Sequence, residues 1–186
     1  MPRLFVAVDI EDPLVVSRIA LVKETLASTR VPMKPVENHN LHVTIRFIGE
    51  VSEALTTTIM ERVMRNLEFE RFEIELKGLG AFPSEARPRV VWIGVSRGHD
   101  ELKKIRDSIE KGLRSIGIPP ERGEFKPHLT IARIKGARNT SSLVKLIEEY
   151  SDYEFGSIVV ESVRLKKSTL TRQGPIYETL LEVKGR

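Results

Sequence analysis

The sequence predicts an α+β fold built from two pseudo-symmetric lobes, each an antiparallel-rich sheet with helices outside, around a central cleft. Three observations carry that expectation. Short segments of alternating or β-branched apolar residues recur along the chain. Amphipathic helical stretches are interspersed among them. One pattern, His-x-Thr-Ile, occurs twice, at His42 and His128. With four histidines and eleven threonines in 186 residues, two histidines followed at i+2 by threonine have roughly a 2 % chance of arising by accident, counted as template matches. Residues 1–186 therefore read as one domain carrying a single internal duplication.

Leu4 to Val8 is apolar and β-branched enough for a buried strand, and Asp9 leads out of it. Asp12 can cap a helix with Pro13 in its first turn, and Leu14, Ile19, Val22 and Leu26 recur on it to about Ser28. Two prolines keep Val31 to Pro35 extended. Leu41 to Ile48 alternates as a strand ended by Gly49, with His42, Thr44 and Arg46 on one face and Val43, Ile45 and Phe47 on the other. Ser52 caps a second helix through Leu55, Ile59 and Val63 to about Asn66. Strands follow at Phe69 to Leu79 and Val90 to Val95, joined by the proline-containing stretch Ala81 to Pro88.

From Asp100 a third helix carries Leu102, Ile105, Ile109, Leu113 and Ile116 on one stripe and stops at Gly117. After the polar loop Glu121 to Glu124 comes the second histidine strand, where His128 and Thr130 share a face opposite Leu129 and Ile131. Thr140 or Ser141 caps a fourth helix through Leu143, Leu146, Ile147 and Tyr150. Strands near Gly156 to Leu165 and Tyr177 to Val183 close the chain, with Lys166 to Pro175 between them as an exposed, basic hairpin loop.

A net charge of +4 permits a surface that faces a polyanion. The absence of cysteine excludes disulfides, thiolate metal sites and a thiol nucleophile. The N-terminal apolar run is too short for a secretory signal and no stretch has membrane-span length, so the expectation is a soluble, cytoplasmic protein. Phe5, Phe47 and Trp92 are expected in the core and His39 and His99 in solvent; Lys166-Lys167 and Arg87 to Arg89 read as solvated faces.

Two imidazoles facing each other suit in-line displacement at phosphorus, because near neutral pH one can accept a proton while the other donates one. Thr44 and Thr130 would offer hydroxyls to the non-bridging oxygens, whose charge grows in the transition state. Arg133 could add a fixed charge with bidentate geometry. In a regular strand Arg133 faces away from His128, so that role requires a bulge or a strand end. A metal site would need a third ligand, and neither motif holds a carboxylate at chelating spacing. A metal-dependent phosphoesterase and a nucleotide- or RNA-binding module without turnover stand as alternatives.

The segments Arg3-Leu4-Phe5-Val6-Ala7, Asn40 to Gly49 and Lys126-Pro127-His128-Leu129-Thr130-Ile131-Ala132-Arg133 carry a resemblance to a known family that spans essentially the whole chain. The sequence resembles the two-histidine phosphoesterases, and among them the RNA 2',3'-cyclic phosphodiesterases, historically called 2'-5' RNA ligases. The resemblance implies a bilobal fold whose cleft holds a cyclic phosphate, with no metal or other cofactor. It implies His128 as general base toward water and His42 as the acid that protonates the departing O3', with Thr44, Thr130 and Arg133 on the phosphate. It also implies RNA ends, tRNA halves or nucleotides as partners, a monomer, and a reverse reaction that joins RNA ends by a 2'-5' linkage.

Overall fold

A computed structural model describes residues 1–186. Its strands are β1 (Arg3–Asp9), β2 (Met33–Pro35), β3 (His42–Glu50), β4 (Phe72–Pro83), β5 (Pro88–Arg97), β6 (His128–Ile134), β7 (Glu154–Val160), β8 (Ser162–Thr171) and β9 (Gly174–Lys184). They pair antiparallel in the order β7-β4-β5-β6-β3-β1-β8-β9, with β2 added beside β6. The two histidine strands are therefore the innermost pair. They meet through a single residue pair, Val43 with Leu129, and on either side of that seam lies a lobe of four strands. The lobe carrying His42 is assembled from both ends of the chain, β1 and β3 with β8 and β9, while the His128 lobe uses the middle.

Helix α1 (Pro13–Ala27) starts where the sequence says it should: the Asp12 carboxylate accepts the Val15 amide at 3.0 Å and Pro13 opens the first turn. It buries Val15, Ile19, Val22 and Leu26, a helical stripe in which each fully buried side chain contributes roughly 1.5–3 kcal/mol. Although α1 follows β1, it packs on β6 and β7 of the other lobe, where Arg18 donates to the Phe155 carbonyl at 3.1 Å. Helix α2 (Glu53–Thr58), capped by Ser52, runs on through a π turn (Ile59–Val63) and a 3-10 turn to Asn66. Helix α3 (His99–Ser115) buries Leu102, Ile105, Ile109 and Leu113 against β3 and the π turn, and α4 (Thr140–Glu149) packs on β4. The crossed helix placement ties the lobes together behind the sheet.

Several local expectations are corrected. Helix α4 is preceded by Asn139 in the left-handed region (φ +59°), so Thr140 and Ser141 are already helical and cap nothing. Ala81 to Pro83 belongs to β4, which leaves only residues 84–87 as the turn into β5. The stretch Gly156 to Leu165 is two strands, broken at Glu161. Lys166 to Pro175 is not a loop: β8 continues to Thr171 and β9 begins at Gly174, so the turn is two residues long. Lys166 is consequently buried rather than solvated. His39 is exposed, as expected, whereas His99 is only partly so, its ring 5.8 Å from that of Phe125.

Candidate active site

Both histidine strands carry the same irregularity. In β6 the pairing with β5 passes from Val91 with Ala132 to Trp92 with Thr130, which leaves Ile131 as an extra residue. Such a bulge resets the alternation of the strand. Ile131 and Ala132 are both buried, and Arg133 emerges on the same face as His128 and Thr130. In β3 the pairing with β1 passes from Val6 with Arg46 to Ala7 with Thr44, so Ile45 is the extra residue. The motif is therefore i, i+2, i+5: His42, Thr44 and Phe47 in one lobe, His128, Thr130 and Arg133 in the other.

The bulge overturns two expectations for β3. Phe47 is not core but 59 % exposed on the His42 face, and Arg46 leaves that face for the protein interior. There the Arg46 guanidinium donates to the Glu110 carboxylate, the Phe47 carbonyl and, at 2.8 Å, the Pro119 carbonyl. Arg46 fastens β3 to α3 and its following loop, and takes no part in the face that His42 presents.

From the pair Val43 with Leu129, the antiparallel count sets His42 across from Thr130 and His128 across from Thr44. The two histidines thus stand diagonally over the seam, each beside the other motif's threonine. Each ring is aimed the same way. His42 Nδ1 lies 2.7 Å from the Asn40 carbonyl, and His128 Nδ1 lies 2.6 Å from the Lys126 carbonyl. A carbonyl can only accept, so Nδ1 carries the hydrogen and Nε2 is left to take or give a proton.

Burial holds the His42 imidazole below the ordinary histidine value; the Asn40 carbonyl and Asp9 oppose this, and Lys166 and Arg133 add to it. Burial also lowers His128, against its bond to the Lys126 carbonyl and with a further push from Arg133. Burial raises the Tyr177 hydroxyl, opposed by Arg133. Arg133 is the one charged group that acts on all three.

Aromatic rings enclose both imidazoles. Phe5 and Tyr177 lie 5.2 Å from the His42 ring, and Phe82 and Trp92 lie 4.9 and 6.1 Å from the His128 ring. Phe5 is core as expected, but Trp92 is only half-buried. Asp9, Lys166, Tyr177 and Phe82 escaped the sequence reading, because what marks them is adjacency across strands rather than any local pattern. Beside His42, a groove of about 270 Å³ opens between the turn Asn38–Asn40 and the β8–β9 turn, lined in part by Asn40, Gln173, Pro175, Ile176 and Tyr177.

One His-x-Thr strand per lobe, both facing one seam, is the two-histidine phosphoesterase arrangement. A family model described as the 2'-5' RNA ligase superfamily matches residues 15–165, and the chain belongs to that superfamily. It is 58 % identical over 170 residues to an RNA 2',3'-cyclic phosphodiesterase of Aeropyrum pernix, covering 91 % of this chain and 96 % of that one. It is 40 % identical over 178 residues to the corresponding protein of Archaeoglobus fulgidus, covering 96 % and 97 %. Among solved structures, a Thermus thermophilus protein superposes with a TM-score of 0.78 at 28 % identity, covering 98 % of this chain and 97 % of that one. E. coli LigT superposes at 0.78 and 22 % identity, covering 99 % and 98 %, which shows the shared fold.

Proposed function

We infer that this chain hydrolyses 2',3'-cyclic phosphate ends of RNA to 2'-phosphates, with RNA ends or nucleotides as substrates. The observation that carries the reading is the pair of equivalent imidazoles, each with Nδ1 tied to the carbonyl two residues back. His128 Nε2 takes the proton of a water that attacks phosphorus. The P–O3' bond breaks on the opposite side, and His42 Nε2 protonates the departing O3'. Thr44, Thr130 and Arg133 hold the non-bridging oxygens as their charge grows. Because O3' stays on the terminal ribose, that nucleoside rests on the His42 side, where the groove beside Tyr177 supports the reading. With a 5'-hydroxyl in place of water as the nucleophile, His128 takes the hydroxyl proton, the P–O3' bond breaks and His42 protonates O3', so the same two proton carriers join RNA ends by a 2'-5' linkage.

The test is incubation of the pure protein with RNA ending in a 2',3'-cyclic phosphate, in the presence of chelator, followed by identification of the hydroxyl that keeps the phosphate. A 2'-phosphate product in chelator is expected. A 3'-phosphate would mean that O2' leaves and would contradict the assigned geometry, loss of turnover in chelator would favour a metal-dependent reaction, and binding without turnover would leave only the binding module. Arg133→Lys keeps the charge but loses the planar fork, so turnover is expected to fall by roughly tenfold to a hundredfold with unfolding unchanged. Wild-type kinetics in Arg133→Lys would remove Arg133 from the phosphate. The enzyme is further proposed to act in the cytoplasm as a monomer, with tRNA halves among its substrates; light scattering of the pure protein tests the monomer.

A further inference from the structure

The two motifs are equivalent in backbone, bulge and Nδ1 bond, and the one charge on their shared face, Arg133 where the other motif has Phe47, lowers both histidines, so it does not divide acid from base. The difference lies behind the rings. Both rings are flanked by uncharged aromatics, but the strand partner of His128 is Gly94, which has no side chain. His42 is the antiparallel partner of Asp9 at the end of β1, a pairing that sets the two side chains on one face of the sheet. The Asp9 carboxylate is 13 % exposed and fully engaged: Lys166 Nζ lies 2.8 Å from each of its oxygens, and Arg164 Nη1 lies 2.7 Å from one. Lys166, 7 % exposed, also sits 5.8 Å from the centre of the Tyr177 ring, whose edge meets the His42 ring. Arg164 is in turn bound by Glu182 and Glu11, each at 3.0 Å. The His42 lobe thus contains a built ion cluster where the His128 lobe has Gly94, the strand partner of His128.

We propose that the Asp9–Lys166–Arg164 cluster assigns the proton-donor role to His42, with Asp9 as a positioning residue that stabilises the His42 imidazolium and the two cations as the groups that keep Asp9 charged. The proposal rests on the reading of His42 as the acid. A carboxylate favours the protonated form of an adjacent imidazole and a cation disfavours it. The charged groups around His42 are Asp9 on β1, Lys166 and Arg164 on β8 and Arg133 on β6, with Tyr177 from β9 neutral at working pH. Asp9 is the one anion whose charge supports the His42 cation, and Lys166 and Arg133 oppose it.

Opposite substitutions should act in opposite directions. The acid must be protonated and the base neutral, so the alkaline limb of kcat/KM follows His42 and the acid limb follows His128. Asp9→Asn keeps one acceptor oxygen for Lys166 and Arg164 but removes the anion, so the alkaline limb should move to lower pH. Turnover at pH 8 should fall by roughly tenfold and recover on acidification. Lys166→Met removes a cation and keeps the bulk against Tyr177, so the alkaline limb should move to higher pH. Ring-proton titration by NMR of each folded variant, without substrate, should show His42 moving in the same two directions and His128 unmoved. Shifts of the same sign in both variants, or an unmoved His42, overturn the proposal. Because the NMR readout needs no turnover, a wrong assignment of His42 as the acid shows separately, as no rescue of His42→Ala by a substrate with a better leaving group in place of O3'. If Asp9→Asn does not fold, Lys166→Met alone decides by the sign of its shift.

Discussion

His42→Ala and His128→Ala are each expected to lose about 10² to 10⁴ in the rate of cyclic phosphate hydrolysis while unfolding at wild-type denaturant concentrations. Neither ring anchors the core: each is only partly covered, and its one hydrogen bond goes to a carbonyl in its own strand entry. Removing it therefore costs little stability. Acid and base act in the same bond-breaking step, so the double variant should be hardly worse than either single one. Strictly additive losses would mean that the histidines act in separate steps, and near-normal turnover in either single variant would discard the two-histidine mechanism. The product distinguishes their roles further. If only His128 is replaced, a substrate whose O3' is exchanged for a better leaving group should not regain rate, since that change relieves the need for an acid and not for a base. The same substrate should partly rescue His42→Ala.

Period-two reading located the histidines, the threonines and most of the core, because each strand has one face against apolar helices and the other in the cleft. It failed at the bulges. In β6 the failure was legible: Ile131 and Ala132 are adjacent apolar residues in a strand that otherwise alternates, which is how an extra residue shows itself in sequence. That signal would have turned Arg133 onto the His128 face. In β3 the same bulge is disguised, since the position equivalent to Ala132 is Arg46, and a charged residue in a strand ordinarily reads as solvent-facing. Its partner Glu110 lies 64 residues on, a distance no local pattern spans. Lys166 was misread for the same reason: its counter-charge, Asp9, is 157 residues away and becomes adjacent only because β8 pairs with β1. The acid–base pair was thus readable from spacing, and the groups that tune it were not, because they are defined by which strands are neighbours.

Arg46 gives the other large effect, on stability. Its side chain is 4 % exposed and that of Glu110 12 %, so the pair is nearly dry, and Nη1 and Nη2 each donate one bond, to the Phe47 and Pro119 carbonyls. Removing Arg46 strands the Glu110 charge and two carbonyls, and removing Glu110 strands the guanidinium charge; breaking a buried pair costs about 3–5 kcal/mol. Against a total stability on the order of 5–15 kcal/mol, Arg46→Ala and Glu110→Ala should each shift the denaturant midpoint strongly. Replacing both at once with Met and Leu should recover much of the loss, because an apolar pair of similar volume carries no desolvation penalty. Turnover of the folded fraction should stay near wild type, since the guanidinium points away from the His42 face. A phosphate-binding Arg46 would give the opposite pattern, an unchanged midpoint with turnover lost, so equilibrium unfolding and single-turnover hydrolysis of the same samples decide between the two. The pseudo-symmetry sharpens the expectation: at the equivalent position the other lobe uses Ala132, fully buried and apolar, so the site itself demands burial and not charge. The charge in β3 serves the crossing of α3 behind that lobe, where Glu110 and the Pro119 carbonyl provide what Ala132 has no need of.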